Sequence, residues 1–348
     1  MPPGLRDVAA RAGVSIKTVS NVVNGYVHVA PGTRARVRAA IEALGYVPNP
    51  AGRQLRGGRS GVIALAVPEM SAPYFAELAG GIVQAAERRS WTVLIDQTGG
   101  HADRERQLVA GLRRHPVDGL IVCPIALGEQ LGEQLDEGLD EEEVACAGGP
   151  PMVLVGAGVR GPADRVTIDD TAAGLDATRH LCGLGRRRIA AIGVHDGPHA
   201  APRRRLAGYR AALAQAGCPV SPRLEAPVDR PGRADGAAAM ARLLDQDDPP
   251  DAVFCFTDRL ALGAIRTLLD RGIQVPGEVA VIGFDDIEDG RFATPTLSTI
   301  APDTPRIAQL AVDLLAERLG DGPAATGPPR ELRVDHRLVA RESTLGRR

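Results

Sequence analysis

The first 45 residues carry apolar positions at helical spacing. Two sets are each spaced to share one helix face: Val8, Ala9 and Ala12, then Val19, Val22 and Val23. Gly13 lies between the two sets, where the chain must turn sharply, and Ser15 is placed to cap the second helix by accepting from a free backbone N–H. The pattern predicts two short helices joined by a tight turn, which is a helix-turn-helix.

A third helix is predicted over residues 33–44, and Gly45 ends it. Its apolar positions fall on one side and complete a small head: Val37, Ala40, Ile41 and Leu44. The second helix then directs a mainly polar set outward: Ile16, Lys17, Thr18, Ser20 and Asn21. A helix with such a face can enter the major groove of DNA.

Beyond residue 60, short apolar runs alternate with helical patterns. One series falls at 62–67, 93–95, 120–122 and 153–155. A second series falls at 166–168, 189–194, 253–256 and 279–284. Continuous apolar strands separated by helices predict parallel sheets covered on both faces. Two series predict an α/β core of two doubly wound subdomains, with a ligand cleft at the carboxyl ends of the strands.

The charge distribution supports a nucleic-acid-binding head. Residues 1–60 contain nine basic and two acidic groups, or about +7, whereas the whole chain is −2 and the remainder therefore about −9. Lys17 is the only lysine, and it falls in the second helix. A basic segment attached to an acidic body is typical of a DNA-binding module joined to another domain.

Specific motifs extend this pattern. They are Arg6-Asp7-Val8-Ala9, Gly13-Val14-Ser15, Thr18-Val19-Ser20, Val23-Asn24, Thr33-Arg34 and Gly45-Tyr46-Val47-Pro48-Asn49. With them the head resembles that of the lactose/purine repressor (LacI/GalR) family of bacterial transcription regulators, and the likeness continues to near residue 300. The resemblance implies a core of two doubly wound parallel-sheet subdomains of periplasmic-binding-protein type.

The resemblance also predicts the domain boundaries. The head spans 1–48, a hinge helix or linker 49–60, and the effector-binding and dimerisation core 61–343. Subdomain 1 is expected at about 61–160 plus 291–319, and subdomain 2 at about 161–290 plus 320–343. Three crossings between the subdomains then fall near 160, 290 and 320.

The family likeness implies a set of DNA contacts in the head and the hinge. They are Leu5, Ser15, Ile16, Lys17, Thr18, Ser20, Asn21, Asn24, His28, Thr33, Arg34 and Leu55. Lysine donates well to guanine, and asparagine can pair with adenine through two hydrogen bonds. Leu55 matches a leucine that the family inserts into the minor groove, although a plain flexible linker is the alternative for this segment.

Effector contacts are expected at strand ends and in an arginine-rich segment: Tyr74, Phe75, Arg203, Arg205, Asp258 and Asp285. Carboxylates accept hydroxyl protons, and a guanidinium suits vicinal hydroxyls or anions. The aromatic pair packing under a loop, solvent-facing arginines and helix-capping acids are the alternatives. Thr257 and Gly156 stand where relatives usually have an amide or another polar residue, so the effector's identity stays open.

Other features narrow the function classes. The chain shows no secretory signal and no apolar run long enough to span a membrane. Its five cysteines form no CxxC pair. The cysteines are therefore expected to be buried free thiols in a reducing cytoplasm. His195 and His199 are four apart, but Gly197 and Pro198 between them exclude a helical metal site. No metal, cofactor or enzymatic motif is predicted.

The sequence therefore predicts a cytoplasmic, homodimeric transcription regulator, most simply a repressor of carbohydrate genes. A small sugar-like effector in the cleft would release it from palindromic operator DNA. The alternatives are a solute-binding protein of the same core fold and a regulator activated by a corepressor. The acidic segment 127–143, with leucines at every fourth position, is expected to form a surface helix or a partner-docking helix.

Overall fold

The computed structural model describes residues 3–23, 28–46, 59–112, 117–125, 150–156, 163–195, 199–320 and 325–346. Four features of the sequence analysis lie outside the described residues: Asn24, Leu55, residues 49–58 of the predicted hinge (49–60), and the acidic segment 127–143. The chain divides into two compact units, Met1–Gly61 and Val62–Arg348. In the described ranges no helix is both long enough and apolar enough to cross a membrane.

The first unit contains the predicted three helices, α1 (Leu5–Ala12), α2 (Ile16–Val23) and α3 (Pro31–Leu44). Gly13 and Gly45 end α1 and α3 with φ of +64° and +60°, a conformation that glycine adopts without steric cost. The Ser15 hydroxyl oxygen accepts from the Thr18 amide at 3.1 Å, which confirms the predicted cap. α3 begins two residues earlier than predicted, because Pro31 occupies its first turn, where no N–H is needed.

One parallel sheet of the second unit contains six strands. They are β1 (Val62–Val67), β2 (Thr92–Gln97), β3 (Gly119–Val122), β4 (Met152–Val155), β5 (Asp164–Ile168) and β11 (Glu331–Val334), in the order β11-β5-β4-β3-β1-β2. Three described helices pack against it: α4 (Pro73–Glu87), α5 (Ala102–Leu112) and α11 (Thr304–Leu319). β1, with the sequence VIALAV, is buried over five of its six residues, as expected for a strand covered on both faces.

The other six-stranded sheet contains β6 (Ile189–Val194), β7 (Glu225–Pro227), β8 (Ala252–Cys255), β9 (Ala280–Phe284), β10 (Ser298–Pro302) and β12 (His336–Val339). Their order is β12-β10-β9-β8-β6-β7, and β12 alone is antiparallel to its neighbour. The described helices of this subdomain are α6 (Asp170–Gly183), α7 (Ala200–Gln215), α8 (Arg233–Leu244), α9 (Asp258–Asp270), α10 (Glu288–Phe292) and α12 (Glu342–Leu345). α6 and α7 cover one face, and α8 and α9 cover the other.

The boundaries between the subdomains differ from those predicted. β5 pairs with β4 and β11 in the first sheet, so it does not open the second series of strands. β10 belongs to the second sheet, and the chain crosses back only at Asp303, which caps α11. The crossings therefore follow Ile168, Pro302 and Val334, not residues near 160, 290 and 320. Apolar runs identify strands, but the sheet that each strand joins is determined by long-range pairing.

Helices α6 and α7 approach each other at two glycines. A Cβ on Gly174 would lie 2.4 Å from the carbonyl oxygen of Arg205, and one on Gly208 would lie 2.1 Å from that of Thr171. Such distances leave no room for any side chain. Backbone packs directly on backbone here, which fixes α7 and its arginines relative to α6.

We expect Gly208→Ala to lower the free energy of unfolding by about 1–3 kcal/mol, because the added methyl group forces the two helices apart. Gly183→Ala is the matched control on α6, since no atom lies within 4 Å of a Cβ built there. It should be neutral or slightly stabilising. Urea unfolding of both variants measures the difference, and equal stabilities would refute the close-packing argument.

Candidate functional site

A cavity of about 800 Å³ lies at the carboxyl ends of the strands, with walls from both subdomains. Tyr74 and Phe75, in the first turn of α4, line it from the first subdomain. Arg205 of α7 and Asp285, directly after β9, line it from the second. The carboxyl ends of parallel strands are where ligands bind in folds of this type.

The Arg205 guanidinium is held by three groups of the second subdomain. Its Nε donates to Asp170 Oδ1 at 2.8 Å, and its Nη1 donates to the carbonyl oxygen of Phe256 at 2.5 Å. Its Cζ also lies 3.4 Å from the centroid of the Phe284 ring. The Arg205 and Asp170 side chains are only 12% and 2% exposed, and burial raises the pKa of Asp170 although Arg205 lowers it. The cation is thus fixed in position at the cavity wall.

Asp285 adopts a backbone conformation that non-glycine residues rarely occupy. Its φ is +118°, and that of Asp286 is +57°. Such residues cost on the order of 1–3 kcal/mol each and persist where surrounding contacts hold them. Asp286 is held by ion pairs to Arg341 and Arg291, at 2.5 and 3.0 Å. This arrangement directs Asp285 to the cavity, where burial raises the pKa of its carboxyl and Arg205 opposes the shift.

Two of the predicted effector contacts do not line the cavity. The Asp258 carboxyl is completely buried, with oxygens 2.7 Å from the Thr299 hydroxyl and 3.0 Å from the Ile287 amide. It therefore connects α9 to the segment after β9 and to β10. Arg203 is exposed on α7, two residues before Arg205. Residues two apart on a helix point in different directions, so only Arg205 faces the cavity.

An ion pair joins the two subdomains across the cavity. Glu69, in the loop after β1, lies 3.1 Å from Arg259 of α9 between Oε2 and Nη1. Hydrogen bonds from Ser71 and then from Arg259 lower the pKa of Glu69. Both charged residues line the cavity. The pair favours the cleft geometry in which the loop after β1 meets the first turn of α9.

Aromatic and imidazole rings form further parts of the cavity wall. The Tyr74 and Phe75 rings meet edge to face with centroids 5.2 Å apart, and burial raises the pKa of the Tyr74 hydroxyl. The His195 and His199 rings have centroids 4.0 Å apart, so these residues meet without the helix that the sequence argument required. Burial, and next His195, lower the pKa of His199. Among the described residues, no three His, Cys, Asp or Glu side chains cluster as a metal site would require.

The head presents the outer face of α2 to solvent. Lys17 is exposed, Ile16 is 39% exposed although it is apolar, and Asn21 is half-buried. The opposite face packs into the head's core through Val19 and Val22. The remaining described members of the predicted DNA-contact set are distributed as follows: Ser15 and His28 are exposed, and Leu5, Thr18, Ser20, Thr33 and Arg34 are partly buried.

Comparison with known proteins identifies both units. Residues 4–49 match the model of bacterial regulatory proteins of the lacI family, and residues 178–344 match that of the periplasmic binding protein-like domain. The transcriptional regulator DegA of Bacillus subtilis (strain 168) is 34% identical over 301 residues, which is 86% of this chain and 87% of DegA. The chain belongs to the lacI family of bacterial regulatory proteins.

Solved structures of this regulator family agree over almost the whole length. The CelR–cellobiose complex is 32% identical with a TM-score of 0.69, and the match covers 98% of this chain and 99% of CelR. The lac repressor dimer bound to operator and the anti-inducer ONPF is 28% identical with a TM-score of 0.84, and the match covers 99% of each chain. The predicted family, the helix-turn-helix head and the two α/β subdomains are confirmed.

Several cavity residues of this lacI-family regulator escaped the sequence reasoning. Two acids, Asp169 and Asp170, follow β5 as Asp285 and Asp286 follow β9, so the same strand–acid pattern marks Asp170. Glu69 and Arg259 are 190 positions apart, and no local pattern indicates that they pair. Only the packing of the two subdomains brings that pair together.

The pH dependence of stability tests whether the Asp258 carboxyl is buried. Burial raises its pKa to about 7, from 3.8, so the folded protein binds this proton more tightly than the unfolded chain does. Stability is therefore lost as pH rises from about 4 to about 7. Asp258→Asn cannot ionise, and its amide can still donate to Thr299 and accept from Ile287. The stability of Asp258→Asn relative to wild type should improve by about 2–3 kcal/mol between pH 5 and pH 8.

Urea unfolding at the two pH values measures this change. Asp248→Asn is the matched control, because the Asp248 side chain is 73% exposed. The substitution removes the same kind of charge, but at the surface. A difference between Asp258→Asn and wild type that stays constant with pH would show that Asp258 titrates normally.

Proposed function

We propose that this chain is a cytoplasmic, homodimeric repressor that binds a palindromic operator and is released when a sugar-like effector occupies the cavity between its subdomains. The observation that carries the proposal is the cavity itself, whose walls come from both subdomains of a chain that also bears a helix-turn-helix head. The protein acts by binding alone and carries out no catalysis.

The head supplies the operator contacts through the exposed face of α2. Lys17 and Asn21 are the groups expected at base edges, and the exposed Ile16 is apolar, as contact with a thymine methyl requires. The charge of about +7 on residues 1–60 favours association with the phosphates. The lac repressor dimer was solved on its operator, which supports a dimer that places two heads in successive major grooves.

The cavity has the chemistry expected for a small polyhydroxylated ligand. Its volume of about 800 Å³ falls within the range of small-molecule sites, roughly 300–1,000 Å³. Asp285 offers carboxylate oxygens as hydroxyl acceptors, Arg205 offers N–H donors, and Tyr74 with Phe75 offers an apolar surface for a sugar ring. Cellobiose bound to CelR supports a carbohydrate as the ligand class.

We expect Asn21→Ala to weaken operator binding by about 1–3 kcal/mol and to relax specificity at one base pair in each half-site, because its amide can form two hydrogen bonds with one adenine. Arg38→Ala, on the exposed surface of α3, is the control for a general loss of charge. Affinities for an operator library, measured at fixed salt, separate the two effects. A loss with Asn21→Ala that is equal for all sequences would assign that residue to the DNA backbone.

Asp285→Asn tests the effector cavity, because asparagine tolerates positive φ better than alanine does and removes only the charge. Operator affinity without effector should be unchanged, while the response to effector should fall by roughly ten-fold or more, as expected when a charged hydrogen-bond partner is lost. Operator affinity is measured by fluorescence anisotropy with a carbohydrate panel that begins with cellobiose.

Asp248→Asn, outside the cavity, is the control and should respond like wild type. A full response from Asp285→Asn would remove that residue from the site. An effector that strengthens operator binding would replace release by corepression.

A further inference from the structure

The cavity extends along the carboxyl ends of four strands of the second sheet. In the strand order β9-β8-β6-β7, Asp285 directly follows β9, whereas Asp229 and Arg230 lie in the loop after β7, and all three line the cavity. Neighbouring strands lie about 4.8 Å apart, so three strand spacings separate these two ends of the cavity by roughly 14 Å. One sugar ring is narrower than that separation, so a single ring cannot contact the polar groups at both ends.

The end of the cavity beyond β7, which we call the β7 lobe, consists of five residues: Asp229, Arg230, Gly232, Asp235 and Arg259. The loop after β7 carries the first three, α8 carries Asp235 in its first turn, and α9 carries Arg259 in its first turn. Two guanidinium groups therefore meet two carboxylates, and Glu69 adds a third carboxylate from the opposite wall. This surplus of negative charge disfavours an anionic ligand.

Arg259 has hydrogen-bond donors that no described residue uses. Its Nη1 donates to Glu69 Oε2 at 3.1 Å, whereas its Nε is buried and has no hydrogen-bond partner in the described part of the chain. Nε and Nη2 form one edge of the guanidinium, and such an edge can donate to two acceptors at once. A buried donor without an acceptor is rare in native proteins and requires an explanation. Acceptor oxygens of a bound ligand would provide the missing partner.

An acceptor oxygen lies close to that edge. A Cβ built on Gly232 would lie 2.7 Å from Asp235 Oδ2 and 3.9 Å from Arg259 Nη2, so both atoms border the position that glycine leaves without a side chain. Among the described residues, Asp235 has no ion-pair partner, Arg259 included. A hydroxyl group both donates and accepts, so one hydroxyl can satisfy the carboxylate and the guanidinium together. An anion lacks the donor for Asp235, and a cation lacks the acceptor for Arg259.

We propose that the effector is a neutral carbohydrate of at least two linked rings, with one ring at Arg205 and Asp285 and the next in the β7 lobe. The inference rests on the proposed function, because it assigns a length to the ligand of the same cavity. Hydroxyl groups of the second ring donate to Asp235 and accept from Nε and Nη2 of Arg259. The cavity volume of about 800 Å³ lies in the upper part of the range for small-molecule sites, roughly 300–1,000 Å³.

The second ring would also reach the contact that joins the subdomains. Arg259 pairs with Glu69 across the cleft, so a ligand in the β7 lobe binds to the same guanidinium that forms this link. A single ring at Asp285 does not touch that pair. The length of the carbohydrate therefore determines whether the ligand can act on the contact between the subdomains.

The test compares each disaccharide with its own constituent ring. Isothermal titration calorimetry with the full chain measures the affinity for neutral disaccharides, beginning with cellobiose, and for their monosaccharides, beginning with glucose. At least one disaccharide should bind roughly ten-fold or more tightly than its monosaccharide, as expected when hydrogen bonds to charged groups are added.

Variants of the β7 lobe should remove that gain alone. Arg259→Gln and Asp235→Asn should each lower the affinity for the disaccharide by roughly ten-fold and leave the affinity for the monosaccharide unchanged. Glu69→Gln is the matched control for Arg259→Gln, because it removes the ion pair but keeps the donors of Arg259, so the preference for the disaccharide should remain. Asp248→Asn is the surface control for Asp235→Asn. Far-ultraviolet circular dichroism should show that all four variants are folded.

The proposal is overturned if no disaccharide binds, if a monosaccharide binds as tightly as its disaccharide, or if both lobe variants weaken the two ligands equally. Operator affinity, measured with the same ligands, separates this inference from the proposed function. Release of the operator by a monosaccharide as effectively as by its disaccharide would support the proposed function and overturn the inference about length. Operator affinity that responds to no carbohydrate would overturn both.

Discussion

The buried ion pair between Arg205 and Asp170 brings together the parts of the second subdomain that form the cavity. Asp170 begins α6, the Phe256 carbonyl follows β8, and the Phe284 ring ends β9, and all three contact one guanidinium. Removing one partner of such a pair leaves an uncompensated buried charge, which costs about 3–5 kcal/mol. Asp170 lies on α6 and Arg205 on α7, so the ion pair depends on how closely the two helices pack. The direct packing of α6 on α7 at Gly208 sets that distance.

The strained turn at Asp285 depends on a different network, and that network includes the last described segment of the chain. Arg341 donates to Asp286 and also to the carbonyl of Leu297, while Ile287 donates to Asp258. The chain reaches Arg341 only after its third crossing between the sheets. The conformation of an effector-facing carboxylate is thus linked to the segment of the chain that follows the third connection between the subdomains.

The sequence predicted the head almost completely, because caps, turn glycines and helical spacing are local features. It also predicted most strands, but it placed β5 with the wrong series, since a short apolar run contains no information about its partner. The cavity residues were predicted only in part, because a local pattern does not show how a side chain packs. A strand–acid junction identifies Asp258 and Asp285 equally, and only packing decides that Asp258 is buried against Thr299 while Asp285 faces the cavity.

The pair between Glu69 and Arg259 shows how an effector can change the cleft without breaking a strong contact. Glu69 is about half exposed, and pairs of this kind contribute about 0.2–1 kcal/mol. Hydrogen bonds from an effector can replace so weak a contact, and the cleft angle then follows the ligand's differential affinity for the two geometries. The coupling is reciprocal, so operator DNA must change effector affinity by the factor by which effector changes operator affinity. Glu69 and Arg259 form a weak contact across the cleft, whereas all the contacts that hold Arg205 come from the second subdomain, so a change in the cleft angle would leave Arg205 and Asp170 in place relative to each other.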